Sequence, residues 1–432
     1  MRLTESIFQC IILYISISNS VAARINYLNE INTVRIRKMS IFDGQLKIEV
    51  ASASGIEAVT KRELIRLGYE PSGANYGRMT FDGNFKDVIR ANMFLRTANR
   101  VRIVLSSFKA ETFDELFTGA TIIRWQDILP RDAKIIVEAK SQKSKLFALR
   151  SIQSITKKAI VTAMQNAYGI TTLPEDGFGY NIEVSICDDI ATLTLDTSGD
   201  GLHKRGYRTY LGDAPLRETL ASAMIQLSVW NPDRPLIDPF CGSGTIPIEA
   251  AMLGLNIASG ISRSFACESF YGAPSMRDDV QNEAEELIRR DIKLQISGFD
   301  INPDAIKLAL KHAERAGVRD CIHLQVADMH NLSSHKAHGI IITNPPYGER
   351  LMSESEVEKL YRDFGAVCRR LDKWCVYAIT SFRGFEKHFG KKADKIRKLY
   401  NSQLECNFYS YLAPPPPKMP RDNSANSSKQ SD

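Results

Sequence analysis

Hydrophobic and polar positions alternate in two different ways along the chain. In the first half, short period-2 runs and 3.6-period runs follow one another. "LKIEVAS" (Leu46–Ser52) predicts a strand, and "GIEAVTKRELIRLG" an amphipathic helix closed by Gly68. "RMTFDG" reads as a short strand and "FKDVIRANMFLR" as a helix. "RVRIVLSSF" and "AKIIVEAKS" are strand-like and flank the helix-like "TFDELFTGATI". A longer helix over Ser151–Tyr168 places Ile152, Ile155, Ile160, Met164 and Ala167 near one face, with Lys157 and Lys158 off it. "YNIEVSICDDIATLTLDTSG" predicts a hairpin about Asp188-Asp189. This half therefore reads as one α+β unit or a pair of them.

From Leu211 onward the pattern changes. Apolar strand-like runs ("PLIDPF", "QISGFDI", "CIHLQVAD", "GIIITNPP", "KWCVYAITSF") alternate with helices such as "DAIKLALKHAERAG" and "EVEKLYRDFGAVCRRL". That order predicts a doubly wound α/β fold with a parallel sheet. "APPPPKMPRDNSANSSKQSD" is a polar, Pro- and Ser-rich tail that cannot build a core. "IFQCIILYISISNSVAA", near the start, has the look of a weak signal peptide but is short for a membrane span. Met39 opens "MSIFDGQLKIEV", a natural domain start, so residues 1–38 are read as a dispensable extension or over-long start, or else as a targeting segment.

The net charge of +6 permits a polyanionic partner without demanding one. Its distribution is more informative. Arg131–Lys158 carries eight Lys/Arg against two acidic residues, and Arg383–Lys398 seven against two. Each cluster is a solvated face or a contact for a polyanion. Eight cysteines are scattered with no CxxC pair, which argues against a zinc site and a disulfide framework and for an intracellular, cytoplasmic protein.

Three strand ends carry candidate chemistry. "DPFCGSGT" (Asp238–Thr245) joins a strand to a helix, and its glycines leave room for a ligand beside the helix N-terminus. No Lys-Ser/Thr follows, so a P-loop is excluded. "GFDINPDA" puts Asp300 at the next strand end, where an acidic residue accepts hydrogen bonds from ribose hydroxyls. A helix N-cap is the plainer role for it. The segment before it, "ISRSFACESFYGAPSMRDDVQNEAEELIRR", reads as an inserted loop and helix. "VADMHNL" supplies Asp328 near an adenine edge, or as part of a surface turn. The fourth strand ends in Asn344-Pro345-Pro346-Tyr347. The prolines stop the strand and stiffen the turn. Asn344 and a backbone carbonyl can then face one substrate atom, and Tyr347 can stack on a flat ring. An exocyclic amine suits two acceptors, because they favour an sp3-like nitrogen.

Together these residues resemble a class I S-adenosylmethionine-dependent methyltransferase. More closely, "DPFCGSGTIPIEAA", "GFDINPDAI", "NPPYGER", "GLHKRGYR" and "APLRETLASA" resemble the THUMP-domain RNA guanine-N(2) methyltransferases, in the branch with the bacterial large-subunit rRNA enzyme. The resemblance covers roughly Leu46 to Pro414. It implies a Rossmann-like catalytic domain preceded by an α+β ferredoxin-like and THUMP region. The expected divisions are 1–40 extension, 41–83 ferredoxin-like part, 84–196 THUMP domain, 197–210 linker, 211–413 methyltransferase domain and 414–432 tail. A second methyltransferase, fused in some members, is not expected in this length.

The resemblance implies S-adenosyl-L-methionine as cofactor, held by Asp238, Phe240, Cys241, Gly242, Gly244, Thr245, Asp300 and Asp328. It implies catalysis by Asn344 and the Pro345 carbonyl, with Pro346 and Tyr347 completing the motif. RNA contacts are expected from Lys143, Lys145, Lys204, Arg205 and Arg208, although the last three could instead tether the two halves. By the same analogy Leu216 and Arg217 lie near the cofactor. The expected partner is RNA, rRNA before tRNA, with no metal and no membrane. A tRNA guanine-N(2) methyltransferase is the nearest alternative. A non-catalytic RNA-binding factor that retains the fold is the alternative from another class. "NPPY" alone also marks enzymes that methylate DNA adenine or protein glutamine.

Overall fold

The computed structural model describes residues 41–75, 77–208, 216–347 and 353–417. The expected extension before Ile41, including Met39, lies outside these residues, as do 209–215 of the linker and catalytic start and the tail beyond 417.

The first half forms β1 (Leu46–Ser52), α1 (Glu57–Arg66), β2 (Ser72–Asn75), β3 (Arg78–Gly83), α2 (Phe85–Phe94), β4 (Ala98–Lys109), α3 (Phe113–Thr121), β5 (Lys134–Gln142), α4 (Leu149–Tyr168), β6 (Gly179–Cys187) and β7 (Ile190–Asp196). Local sequence explains the boundaries. After α1, Gly68 takes φ +92°, and the Tyr69 and Gly68 N–H groups bond back to Leu64 and Ile65, a left-handed cap that Gly adopts without strain. Asn84 and Thr112 start α2 and α3 with capping boxes closed by Asp87 and Glu115. Asp188 and Asp189 both have positive φ and turn β6 into β7.

All seven strands share one sheet, ordered β2-β3-β1-β4-β7-β6-β5. The ferredoxin-like and THUMP portions are thus joined edge to edge through β4–β7 pairing. β2 was not predicted, because "SGAN" has no apolar alternation. Ala167 is exposed rather than on the buried face of α4, where Ile152, Ile160 and Met164 pack.

The second half contains α5 (Glu218–Leu227), β8 (Leu236–Asp238), α6 (Thr245–Gly254), α7 (Arg277–Glu286), β9 (Ile296–Asp300), α8 (Pro303–Arg315), β10 (Ile322–Val326), β11 (Ile340–Thr343), α9 (Glu354–Arg369), β12 (Cys375–Thr380), α10 (Phe385–Phe389), β13 (Lys395–Asn401) and β14 (Leu404–Tyr411). The order is β10-β9-β8-β11-β12-β14-β13. The first five strands are parallel, but β14 pairs antiparallel with both β12 and β13, so the sheet is mixed. The basic run Arg383–Lys398 leads into β13, an edge strand that carries Lys395 and Lys398, and charge there discourages edge-to-edge pairing.

The inserted loop and α7 dock onto the first half. Phe265, Cys267, Phe270, Val280 and Ala284 belong to its hydrophobic core, and Arg90 on α2 pairs with Glu283 at 2.8 Å. Beneath this contact, Arg205 is fully buried. Its guanidinium donates to the Leu202 and Arg96 carbonyls (2.6 and 2.5 Å) and lies 3.4 Å from Glu249 on α6. Tyr207 and Ser222 also donate to Glu249, at 3.2 and 2.5 Å. Arg205 is therefore committed within the fold as a tether between the halves. Arg208 is half-buried and is also engaged within the fold, bonding the Leu216 carbonyl, Thr245 and Glu218.

On the first sheet, Glu49 and Glu183 sit among Arg78, Arg102 and Lys140. Burial opposes ionisation of Glu183, but Arg102, Arg78 and Lys140 outweigh it and lower its pKa to about 2. A depressed carboxylate pKa stabilises the fold above the unfolded value and loses that contribution as pH falls through the folded one. Acid unfolding between about pH 4.5 and 2 should therefore lose part of its pH dependence in Glu183→Gln, measured by circular dichroism.

Removing Arg205 leaves Glu249 buried without its ion-pair partner. Arg205→Ala should cost about 3–5 kcal/mol, whereas Lys204→Ala should stay within about 0.5 kcal/mol. Denaturant titration of the full chain checks both.

Candidate active site

The carboxyl ends of β8, β9, β10 and β11 point to one side of the second sheet, where ligands bind in such folds. At the first of these ends, Asp238 is almost fully buried. It accepts from the Thr343 hydroxyl at 2.6 Å and the Phe240 N–H at 3.1 Å. Burial raises its pKa to about 7; the two hydrogen bonds resist and the nearby Asp300 adds to the rise. Thr343 is the last residue of β11, so this bond locks the ends of β8 and β11 together.

The loop into α6 is stitched to β9 by Cys241 N–H to the Phe299 carbonyl (2.8 Å) and Gly242 N–H to Asp300 Oδ2 (2.9 Å). Gly242 has φ +51°, and a Cβ there would meet no protein atom within 4 Å. That is open space beside backbone, as a ligand cradle requires. Gly244 serves another purpose. Its Cβ would lie 3.0 Å from Ala309 Cβ, so glycine allows α6 to approach α8. Phe240 packs edge-on against Phe364, centroids 5.4 Å apart. The Thr245 hydroxyl is taken by Arg208.

Asp300 does not cap α8. Asn302 does, accepting from the Asp304 N–H at 2.9 Å. Asp300 instead accepts one backbone N–H at each oxygen, from Asn302 and Gly242, and keeps further lone pairs for a ligand. Asp328 both caps the short turn Met329–Asn331 and binds the His330 ring at 2.6 Å. The bonds from the His330 N–H and ring hold the Asp328 pKa down, and Asp328 followed by Asp363 raises that of His330.

Asn344 follows β11 directly. Its Oδ1 is buried without a hydrogen-bond partner among the described residues. Leaving an acceptor so costs about 1–3 kcal/mol. The Pro346 carbonyl is already engaged by the Tyr361 hydroxyl at 2.8 Å, and that hydroxyl also meets Thr380 at 3.0 Å. Tyr361 lies on α9, so the motif is clamped by the helix that follows it. Tyr347 lines the site with its hydroxyl 4.0 Å from Cys406 on β14, and burial raises its phenol pKa. Its hydroxyl is thus directed into the protein, and the side chain packs partly on the core while lining the cavity.

Every expected cofactor and catalytic residue except Gly244 lines one cavity of about 2140 Å³. Pockets for a single small ligand are typically about 300–1,000 Å³, so this one has room for more than a cofactor. The opposite wall comes from the first half and the insertion, through Phe178, Gly199, Lys204 and Ser264. Lys204 is exposed and paired with Asp200 at 2.7 Å. Lys143 and Lys145 lie outside the cavity, after β5, and Lys145 is paired with Glu111. Leu216 and Arg217 both line the cavity. Sequence reading missed Thr343, Tyr361, Cys406 and His203. Only Thr343 had a local signal, its place at the strand end. Among the described residues no group of three or more His, Cys, Asp or Glu could hold a metal, and no helix is long and apolar enough to cross a membrane.

Family models match in three segments: an RlmL ferredoxin-like domain at residues 47–102, a THUMP domain at 110–196 and an RMKL-like methyltransferase domain at 205–410. A Bacillus subtilis protein, YpsC, whose name proposes an RNA methyltransferase, is 42% identical over 374 residues, 86% of this chain and 97% of its own length. The ribosomal RNA large subunit methyltransferase K/L of Aliivibrio salmonicida is 31% identical over 368 residues, 82% of this chain; the match spans only 52% of that relative. The solved structure of SMU.472, described as a methyltransferase candidate complexed with SAH, superposes with a TM-score of 0.80 at 41% identity, covering 86% of this chain and 99% of that one. The chain belongs to the RMKL-like methyltransferase family, in the form that carries an RlmL ferredoxin-like domain and a THUMP domain ahead of the catalytic sheet.

Proposed function

We propose that the chain is a cytoplasmic S-adenosylmethionine-dependent RNA methyltransferase acting on the exocyclic N2 amine of a guanine in large-subunit rRNA. The unsatisfied buried acceptor at Asn344 carries this reading. The K/L relative and the THUMP domain support rRNA as the substrate. A non-catalytic factor would have no use for a clamped, buried acceptor in the same cavity as an open glycine cradle.

S-adenosylmethionine fits the residues present. The cofactor supplies a methyl group on a positively charged sulfonium. Gly242 leaves it backbone space, Asp300 keeps lone pairs for ribose hydroxyls, and Asp328 stands at the next strand end. Asp238 offers a carboxylate to the cofactor's cationic end. On the substrate side, Asn344 Oδ1 accepts one amine N–H and the Pro345 carbonyl the other; the Pro346 carbonyl is excluded because Tyr361 holds it. The guanine must leave its helix to reach them, and the Tyr347 ring gives it a surface to stack on. Positioning supplies most of the rate.

Asn344→Ala should leave cofactor affinity nearly unchanged and slow single-turnover methylation of large-subunit rRNA by about 100- to 1,000-fold. Equal loss of cofactor affinity would reassign Asn344 to the cofactor. Tyr347→Phe should stay close to wild type, and Tyr347→Ala should weaken base capture by about 1–3 kcal/mol.

Asp238 must be ionised to meet a cation. Its raised pKa makes cofactor affinity fall below about pH 7, by up to about tenfold per pH unit. Asp238→Asn should weaken binding and flatten that profile in calorimetry. A wild-type affinity that does not vary between pH 5.5 and 8 would separate Asp238 from the cofactor (about the range over which such a group titrates).

A further inference from the structure

The helices of the first half leave one face of its sheet uncovered. Strand alternation sends Ile48, Ile103, Ile182, Val184, Leu193 and Leu195 into the core. The alternate positions on the other face are polar, and the register aligns them: Glu49 opposite Arg102, Arg102 opposite Asp196, Lys140 opposite Ser185. This face is concave. Arg78 on β3 reaches Glu183 on β6 at 2.6 Å, although four strand spacings would separate them by about 19 Å in a flat sheet.

The concavity forms a groove of about 720 Å³ that shares wall residues with the catalytic cavity. Asp200, His203, Lys204 and Arg217 line both. Six Lys/Arg line the groove: Arg78, Arg100, Arg102, Lys140, Lys204 and Arg217. The carboxylates Glu49, Glu183 and Asp196 lie buried beneath them, whereas the Lys140 and Lys204 side chains are 58% and 57% exposed. The Arg217 carbonyl accepts from the Leu220 and Ala221 N–H groups, but its side chain makes no hydrogen bond to cap α5. His203 also lines the groove, and burial first, then the cations Arg217, Arg205, Lys204 and Arg263, lower its pKa to about 4. No Phe, Tyr or Trp lines the groove among the described residues, so it has no platform for stacking bases.

We propose that this groove is a track for a single RNA strand, which leaves the catalytic cavity past Arg217 and Lys204 and runs over the open sheet face to Lys140 with its phosphates toward the protein. The proposal rests on the RNA reading above and adds the path. A flipped target must enter the cavity from an unpaired strand, and the shared residues make the groove its continuation. Phosphate contacts without stacking bind regardless of sequence and weaken with salt. The track replaces Arg205 and Arg208, and the tip lysines Lys143 and Lys145, as the main RNA contact.

The variants are Lys140→Ala and Arg217→Ala in the full chain. Neither threatens the fold: Glu183 keeps Arg78 and Arg102, and the Arg217 side chain does not cap α5. The measurement is binding of a fluorescein-labelled single-stranded RNA of about 12 nucleotides across about 50–200 mM KCl. Each variant should lower the log–log salt slope by about 0.7 and the double variant by about 1.4. For methylation of large-subunit rRNA, KM should rise more than kcat falls. Lys307→Ala, on exposed α8 surface, should match wild type. The track is overturned if wild type binds and methylates RNA but both variants keep the wild-type slope and KM, or if Lys145→Ala alone loses the slope. It is also overturned if a duplex of the same length binds equally well with the same slope loss. If wild type neither binds nor methylates RNA, the function proposed above fails, and the track with it.

Discussion

The buried pair between Arg205 and Glu249 fixes where the two halves stand. Arg205 leaves the linker and reaches the Arg96 carbonyl in the first half and Glu249 on α6 in the second. α6 begins at the glycine loop of the site, so the contact that joins the halves also sets the helix that frames the ligand space. A buried ion pair is seldom a large net gain, because desolvation offsets attraction. Its value here is geometric. Glu249 has several partners at once, and each is satisfied only when linker, α5 and α6 are in register. The inserted α7 works to the same end by burying Val280 and Ala284 in the core of the first half.

The site follows from that frame. One wall is the row of strand ends; the other is the first half with the insertion. Two hydrogen bonds made far from each other in sequence pin the catalytic turn: Thr343 to Asp238 at its start, and Tyr361 to the Pro346 carbonyl at its end. Between them, Asn344 Oδ1 is held without a hydrogen-bond partner among the described residues. An unsatisfied buried acceptor costs stability, and a protein keeps that cost where a ligand removes it. The turn is therefore stiff before substrate arrives, and little reorganisation remains for the transfer step.

Much of this was legible in the sequence, for physical reasons that differ by residue. Leu46–Ser52 and the Asp188-Asp189 hairpin declare themselves through period-2 patterning and turn chemistry. Asp238, Gly242, Asp300 and Asn344 stand at strand ends, which order alone locates. The strand pair β13–β14 was missed because its sequence, "KIRKLYN" then "LECNFYSY", mixes charge with aromatics and lacks a clean alternation. Gly244 looked like a ligand glycine, but its need comes from Ala309, a contact no local pattern reveals. In sequence Arg205 and Arg208 could be phosphate contacts or tethers; only the tertiary fold supplies Glu249 and Glu218 as partners. Tyr361 gave no signal for the same reason. Its partner lies 15 residues away, across the top of the sheet.

The central claim is that the turn at Asn344 presents its acceptors to the exocyclic amine of guanine. Purified protein incubated with unmodified large-subunit rRNA and trideuteromethyl S-adenosylmethionine, followed by nuclease digestion and mass spectrometry of nucleosides, tests it most directly. The account predicts label in N2-methylguanosine. Label in N6-methyladenosine, or in no nucleoside while the protein still binds the cofactor, would contradict it.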